Sequence, residues 1–140
     1  MRRICVIDGW SGGIGAAVVR YMKEAHGESI QLVALGTNAI ATSQMLIAGA
    51  NRGVSGEHAI VRTVGIADVI IAPIAISWAN AMLGEVTPGI AEAVTSSPAP
   101  KIYLPLFRES AILVGVATEP LPHLVQQLGN PGIKEVLLDV

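Results

Sequence analysis

Residues 9–15, GWSGGIG, carry two overlapping chemical signatures. Read as G-x-S-x-G, Gly9 to Gly13 would set Ser11 on a sharp strand-to-helix turn as a nucleophile, with part of its oxyanion hole supplied by an upstream loop. Read as G-x-x-x-G-x-G, Gly9 to Gly15 would cradle a diphosphate. Gly9 allows the tight turn, Gly13 lets the backbone approach the ligand, and Gly15 lets helix and strand pack closely. The amides and dipole of the following helix favour an anion. Only seven residues precede Asp8, which leaves no upstream loop for the hydrolase reading. Its formal triad, Ser11, Asp68 and His123, puts Asp68 at the start of a strand and Ser11 past the end of another, on opposite edges of a parallel sheet. The nucleotide reading therefore leads, with Trp10, Ser11, Gly12 and Ile14 joining the glycines as binding positions.

A dinucleotide loop of this kind is followed about twenty residues on by an acid that holds the adenosine ribose. Here the second strand ends in Gly36-Thr37-Asn38 instead. Thr37 and Asn38 could hydrogen-bond a ribose or, less well, a 2′-phosphate; alternatively Thr37 only caps the next helix. Asp8 would repel a bound phosphate unless a magnesium ion intervenes or loop amides occupy its carboxylate, and the second is preferred. Asn80 is expected at the ligand, while Glu85 reads as a solvated residue ahead of a Thr87 helix cap. Trp10, an aromatic at an exposed position, would stack on a base or on a partner subunit. The loop 50–59, ANRGVSGEHA, gathers Asn51, Arg52, Glu57 and His58 and is expected at the far edge of the sheet, where it could reach a neighbour's crevice across a dimer interface or, as the plain alternative, form an Arg52–Glu57 pair.

The elements that must position these residues follow from periodicity. Strand-length apolar runs at 2–8, 29–36, 68–76, 101–107 and 111–117 alternate with helix-period segments at 14–25, 38–48, 87–96 and 121–129, and the tail IKEVLLDV is amphipathic. AIVRTV (59–64) reads as a short third strand, with a helix capped by Ser55 as the other reading. The alternation predicts an α/β, Rossmann-like three-layer fold with a parallel sheet, one domain over 1–140. A strand order of 3-2-1-4-5 would put the ligand crevice between the first strand and 68–76.

Composition removes several classes. The net charge of −2 and nine scattered Lys and Arg residues give no field for nucleic acid or anionic lipid. One cysteine and three histidines show no metal-ligand spacing. The lone Cys5 and the lack of an export leader predict a cytoplasmic protein. The uncharged stretch 69–84 is broken by Pro73, Ser77 and Asn80 and is short of the ~20 residues of a membrane span. With 51% apolar and 14% charged residues, and a charge-free helix at 38–48, a homo-oligomer, dimer first, is expected.

The loop Gly9 to Gly15 resembles that of short-chain dehydrogenases, but the chain has no Tyr-x-x-x-Lys pair: Tyr21 is followed four places on by Ala25 and Tyr103 by Phe107. VIDGWSGGIG (6–15), GTNAIATSQMLIAGANRG (36–53), ANAMLGEVTP (79–88) and KIYLPLF (101–107), in this order, resemble the bacterial family known as domain of unknown function 3842. That resemblance implies a small Rossmann-like cytoplasmic protein and assigns no catalytic residue. The expectation is a nucleotide, most plausibly NAD(P), bound at Gly9 to Gly15 in a binding or regulatory role. An oxidoreductase or nucleotide-sugar-type enzyme completed by a partner, and a scaffold whose glycines serve packing alone, are the alternatives.

Overall fold

Along the first strand, β1 (Arg2–Asp8), apolar residues fill both faces, as a central strand of a parallel sheet requires. The computed structural model describes residues 1–139, so the last residue of the tail, Val140, lies outside the described residues. β1 pairs in parallel with β2 (Ile30–Gly36) from Arg2–Ile30 to Asp8–Gly36, and with β4 (Val69–Pro73) through Ile4–Val69 to Val6–Ile71. The edge strands β3 (Arg52–Ser55) and β5 (Lys101–Leu104) complete a five-stranded sheet in the order β3-β2-β1-β4-β5. This is the expected strand order.

Successive side chains of a strand point to opposite faces, and β1 divides the core accordingly. Ile4 and Val6 pack with Val18, Val19, Met22, Met45 and Leu124 on one face, which carries α1 (Gly13–His26), α2 (Ala39–Ala48), α5 (Leu121–Gln126) and α6 (Pro131–Leu138). Cys5 and Ile7 pack with Ile60, Val64, Ile90 and Val94 on the other, which carries α3 (Glu57–Val64) and α4 (Pro88–Ser96). The three layers are those of a Rossmann-like α/β fold. Burial pushes the Cys5 thiol up to about 12, so it is inert as a nucleophile.

Three expected elements differ. Residues 59–64 are helix, not strand: Ile60 and Val64, four apart, are buried while Val61 and Arg62 face solvent, a helical spacing that overrides their β-branched composition. The third strand is instead the short RGVS of β3, which lacks an apolar run. Its Gly53 lets the strand lie close under α2, for a Cβ there would meet Thr42 Cγ2 at 2.7 Å and Leu46 at 3.0 Å. The strand expected at 101–107 ends at Leu104, ahead of Pro105, which has no N–H for a ladder. Residues 111–117 form no strand: Ile112 and Val114 are 92% and 97% exposed, and Gly115 turns the chain at φ 82°. Strand propensity reflects fit to a pleated, half-buried surface, and no neighbouring strand supplies one here.

The other helices follow their signals. Thr87 accepts the Ile90 amide at 3.1 Å with Pro88 in the first turn of α4. No helix among the described residues is long and apolar enough to cross a membrane.

Candidate functional site

The sheet reverses its winding between β1 and β4, so the crevice at their carboxyl ends is the place for a ligand in this architecture. The glycine loop leaves β1 there. The Gly12 amide donates to the Gly9 carbonyl at 2.9 Å, closing a turn in which Trp10 sits at φ 50° and Gly12 at φ 76°. Gly12 is compelled twice over, since a Cβ would lie 2.7 Å from the Ala41 carbonyl oxygen and 2.8 Å from its Cα. Gly15 has the packing role read from sequence: its Cβ would meet Asp8 Cβ on β1 at 2.9 Å, and Met45 Sδ on α2 at 2.5 Å. Gly13 is different. A Cβ there would have only Ser11 Oγ, at 4.0 Å, for company, so this glycine faces open space.

Two carboxylates brace the loop. Asp8 is 2% exposed; its Oδ1 accepts the Gly9 amide at 2.8 Å and its Oδ2 the Gly15 amide at 2.7 Å. Its side chain is thus held by loop amides, as preferred from sequence. Burial raises its pKa from 3.8 to about 6, against the pull of the Gly15, Gly9 and Ile14 amides and with a smaller push from Glu85. Glu85 is not the solvated residue expected. Its Oε1 accepts the Thr37 hydroxyl at 2.6 Å, the Trp10 amide at 2.9 Å and Asn38 Nδ2 at 2.9 Å. Partial burial works to raise the Glu85 pKa, but these three donors outweigh it and hold the carboxyl below its ordinary range.

Thr37 and Asn38 therefore face Glu85, and it is Asn38, not Thr37, that caps α2, accepting the Ala41 amide at 2.9 Å. Trp10 is half-buried and lines the crevice. Its Nε1 donates to the Met82 carbonyl at 3.2 Å, and the Arg108 guanidinium lies 4.8 Å from its ring centroid. Asn80 is exposed, at φ 68°, on the turn that leads to Glu85, and does not line the crevice.

The crevice encloses about 380 Å³, toward the lower end of the ~300–1,000 Å³ of small-ligand sites. Gly9, Trp10, Ser11, Gly13 and Ile14 form one wall above Asp8; Leu106, Phe107, Arg108 and Glu109 form the opposite one. The second wall was missed from sequence. A signal existed: Arg108 and Glu109 follow the carboxyl end of a strand, where ligand loops lie in such sheets. The amides of Ser11 and Gly13 have no hydrogen-bond partner among the described residues. Arg108, exposed at the rim, is the cation of this wall, and Glu109 accepts the Met82 amide at 2.9 Å.

The hydrolase triad is not assembled. Asp68 Oδ2 accepts the Arg3 amide at 2.7 Å at the opposite edge of the sheet, and His123, on α5, has its Nδ1 3.7 Å from the carboxylate of Glu119, which precedes that helix. The loop 50–59 is only partly where it was expected. β3 carries the chain back to the ligand edge, where Glu57 accepts the Thr87 hydroxyl at the start of α4 instead of pairing with Arg52. Among the described residues no three His, Cys, Asp or Glu side chains gather to hold a metal ion.

The sequence matches the family described as domain of unknown function (DUF3842) over residues 3–136. No curated protein matches it in sequence. Among solved structures, a universal stress protein in complex with cAMP is similar at a TM-score of 0.41 and 20% identity, covering 74% of this chain and 98% of that chain. The overlap is partial.

Proposed function

The chain belongs to the DUF3842 family, and from the geometry of its glycine-loop crevice we propose that it binds a nucleotide there, in a binding or regulatory role. One observation carries the reading. At the switch point of the sheet, Ser11 and Gly13, whose amides have no partner among the described residues, line the 380 Å³ crevice together with Arg108. Two backbone donors at a helix start and a guanidinium suit a phosphate. The apolar wall of Leu106, Phe107 and Ala75 suits a nucleoside. NAD(P) is the dinucleotide candidate and enters the same test as the mononucleotides.

Thermal unfolding of the purified protein with AMP, ATP, GTP, NAD, NADH, NADP, NADPH and FAD tests this. A ligand at about a hundred times its Kd adds roughly 2.7 kcal/mol, a shift on the order of 5 to 10 °C at this size. The substitution Gly13→Val abolishes the shift while leaving the unliganded protein nearly as stable, because its side chain enters open space. Indifference to every nucleotide overturns the reading and leaves the glycines as packing. Any NAD(P) hit is followed by cofactor absorbance, where turnover would favour the oxidoreductase alternative.

The proposal includes a homo-oligomer, dimer first. On charge-free α2, Ile40 and Ile47 are 66% and 75% exposed, which supports self-association. Mass by light scattering tests it, and a monomer overturns it. The buried lone Cys5 supports a cytoplasmic setting.

A further inference from the structure

Between β4 and α4 the chain crosses over the glycine loop from the β4 side to the β2 side. It does so through a reversal with Asn80, Met82 and Leu83 at φ 68°, 57° and 55° and Gly84 at φ 93°. Left-handed backbone at a non-glycine residue costs roughly 1–2 kcal/mol, so three in one turn persist only where the surroundings hold them. The turn closes on itself, with the Val86 amide donating to the Ala81 carbonyl and the Gly84 amide to the Asn80 carbonyl, each at 3.1 Å, and side-chain contacts tie it to its surroundings. Met82 accepts Trp10 Nε1 through its carbonyl, its own amide donates to Glu109, and Glu85 takes the Trp10 amide and both side chains at the end of β2.

The place Glu85 fills has a chemical meaning in this architecture. A dinucleotide lies across the switch point, with its second ribose at the end of β2, where an acid of that strand accepts the sugar hydroxyls. This chain has no acid there. Thr37 and Asn38 spend their donors on a carboxylate that arrives from another segment, and the space between it and Gly9 is closed. A Cβ on Gly9 would lie 2.6 Å from Met82 Sδ and 3.1 Å from Glu85 Oε1. The two halves of the crevice thus differ: the β4 side is open over about 380 Å³, and on the β2 side the space at Gly9 is filled by Met82, Thr37 and Glu85.

We propose that Glu85 is a specificity-determining residue. By occupying the seat at the end of β2 it confines the crevice to ligands with a single nucleoside and excludes dinucleotides. The inference rests on nucleotide binding at the glycine loop and adds which nucleotides bind. A dinucleotide must expel Glu85 and leave its three donors to be satisfied anew, and the 2′-phosphate of NADP also meets the carboxylate's charge.

Calorimetric titration of the wild-type protein with AMP, ATP, NAD and NADP reads the selectivity directly. The better mononucleotide is expected to bind at least about tenfold more tightly than NAD. Glu85→Ala empties the seat and brings NAD to within about threefold of that mononucleotide. Glu85→Gln keeps an acceptor oxygen for the same three donors and retains the discrimination against NAD. Wild-type protein that binds NAD as tightly as AMP and ATP overturns the inference while leaving nucleotide binding in place, and needs no variant to fold. Glu85→Ala that folds with its selectivity unchanged overturns it too. Absence of binding by all four ligands overturns the nucleotide reading, and this one with it.

Discussion

The glycine loop and the segment 105–119 face each other across the crevice, and they are held in opposite ways. The loop is over-determined. Gly12 is wedged against the α2 backbone, Asp8 ties both ends of the turn, and Glu85 fixes the Trp10 amide. The facing segment has no ladder after Leu104, turns at Gly115, and leaves Ile112 and Val114 almost wholly exposed. One wall is a rigid template; the other is anchored at Leu106, Phe107 and Glu109 and is loosely held only beyond them. A rigid wall suits the phosphate, whose recognition by amides depends on geometry. The apolar side chains of Leu106 and Phe107 on the second wall suit an apolar body that needs only cover.

The largest effect comes from breaking the rigid wall. Gly12→Val adds a Cβ inside van der Waals contact of α2 backbone and forces a β-branched residue to φ 76°. Roughly 1–2 kcal/mol of backbone strain and 1–3 kcal/mol of overpacking combine. The midpoint of thermal unfolding should drop by about 10 °C or more. A Gly12→Val protein as stable as wild type would mean that the loop gives as easily as the segment opposite.

Asp8 sharpens the comparison through pH. Its folded pKa of about 6 lies above the ordinary 3.8, so the folded state holds a proton that the unfolded chain has released. The contribution to stability is complete below about pH 4 and is lost as pH rises through about 6, with a slope of at most ~1.4 kcal/mol per pH unit. Asp8→Asn removes that slope and leaves one of the Gly9 and Gly15 amides facing an NH2 group, a cost of roughly 1–3 kcal/mol. Unfolding followed from pH 4 to 7 should show wild type ahead of the variant at the acid end, with the gap narrowing toward neutrality. A gap that widens with pH would mean that Asp8 is not desolvated and that the loop is open to water.

How much of this was legible in the sequence follows the same divide. The strand order, the start of α4 and the turn after β1 were readable because each is set locally, by apolar runs, a Thr-Pro cap or glycines at fixed offsets. Asp8 was readable as a loop anchor because its amides are sequence neighbours. Glu85 was not. Its three donors lie 75, 48 and 47 residues away, and nothing in EVTP reveals that the chain crosses the loop just before it. Residues 59–64 and 111–117 misled for one reason: β-branched composition reports a preference that burial must complete. Ile60 and Val64 found their cover as a helix, and Ile112 and Val114 found none.

The smallest expected effect on stability, and the one that most directly separates scaffold from site, is at Arg108. Its side chain is exposed, and its ring contact with Trp10, 4.8 Å from the centroid, is worth roughly 0.5–1 kcal/mol. Arg108→Ala should therefore lower the unfolding midpoint by only a few degrees. Its effect on the ligand should be larger, because a charge-assisted bond from a guanidinium to a phosphate contributes about 1.5–3 kcal/mol. Nucleotide affinity, read by titration, should fall at least about tenfold. Arg108→Lys should recover part of it, since the ammonium keeps the charge and loses the planar fork. If Arg108→Ala instead destabilises the fold as much as Gly12→Val and leaves affinity alone, the segment is scaffold and the phosphate is held by the amides of Ser11 and Gly13 without it.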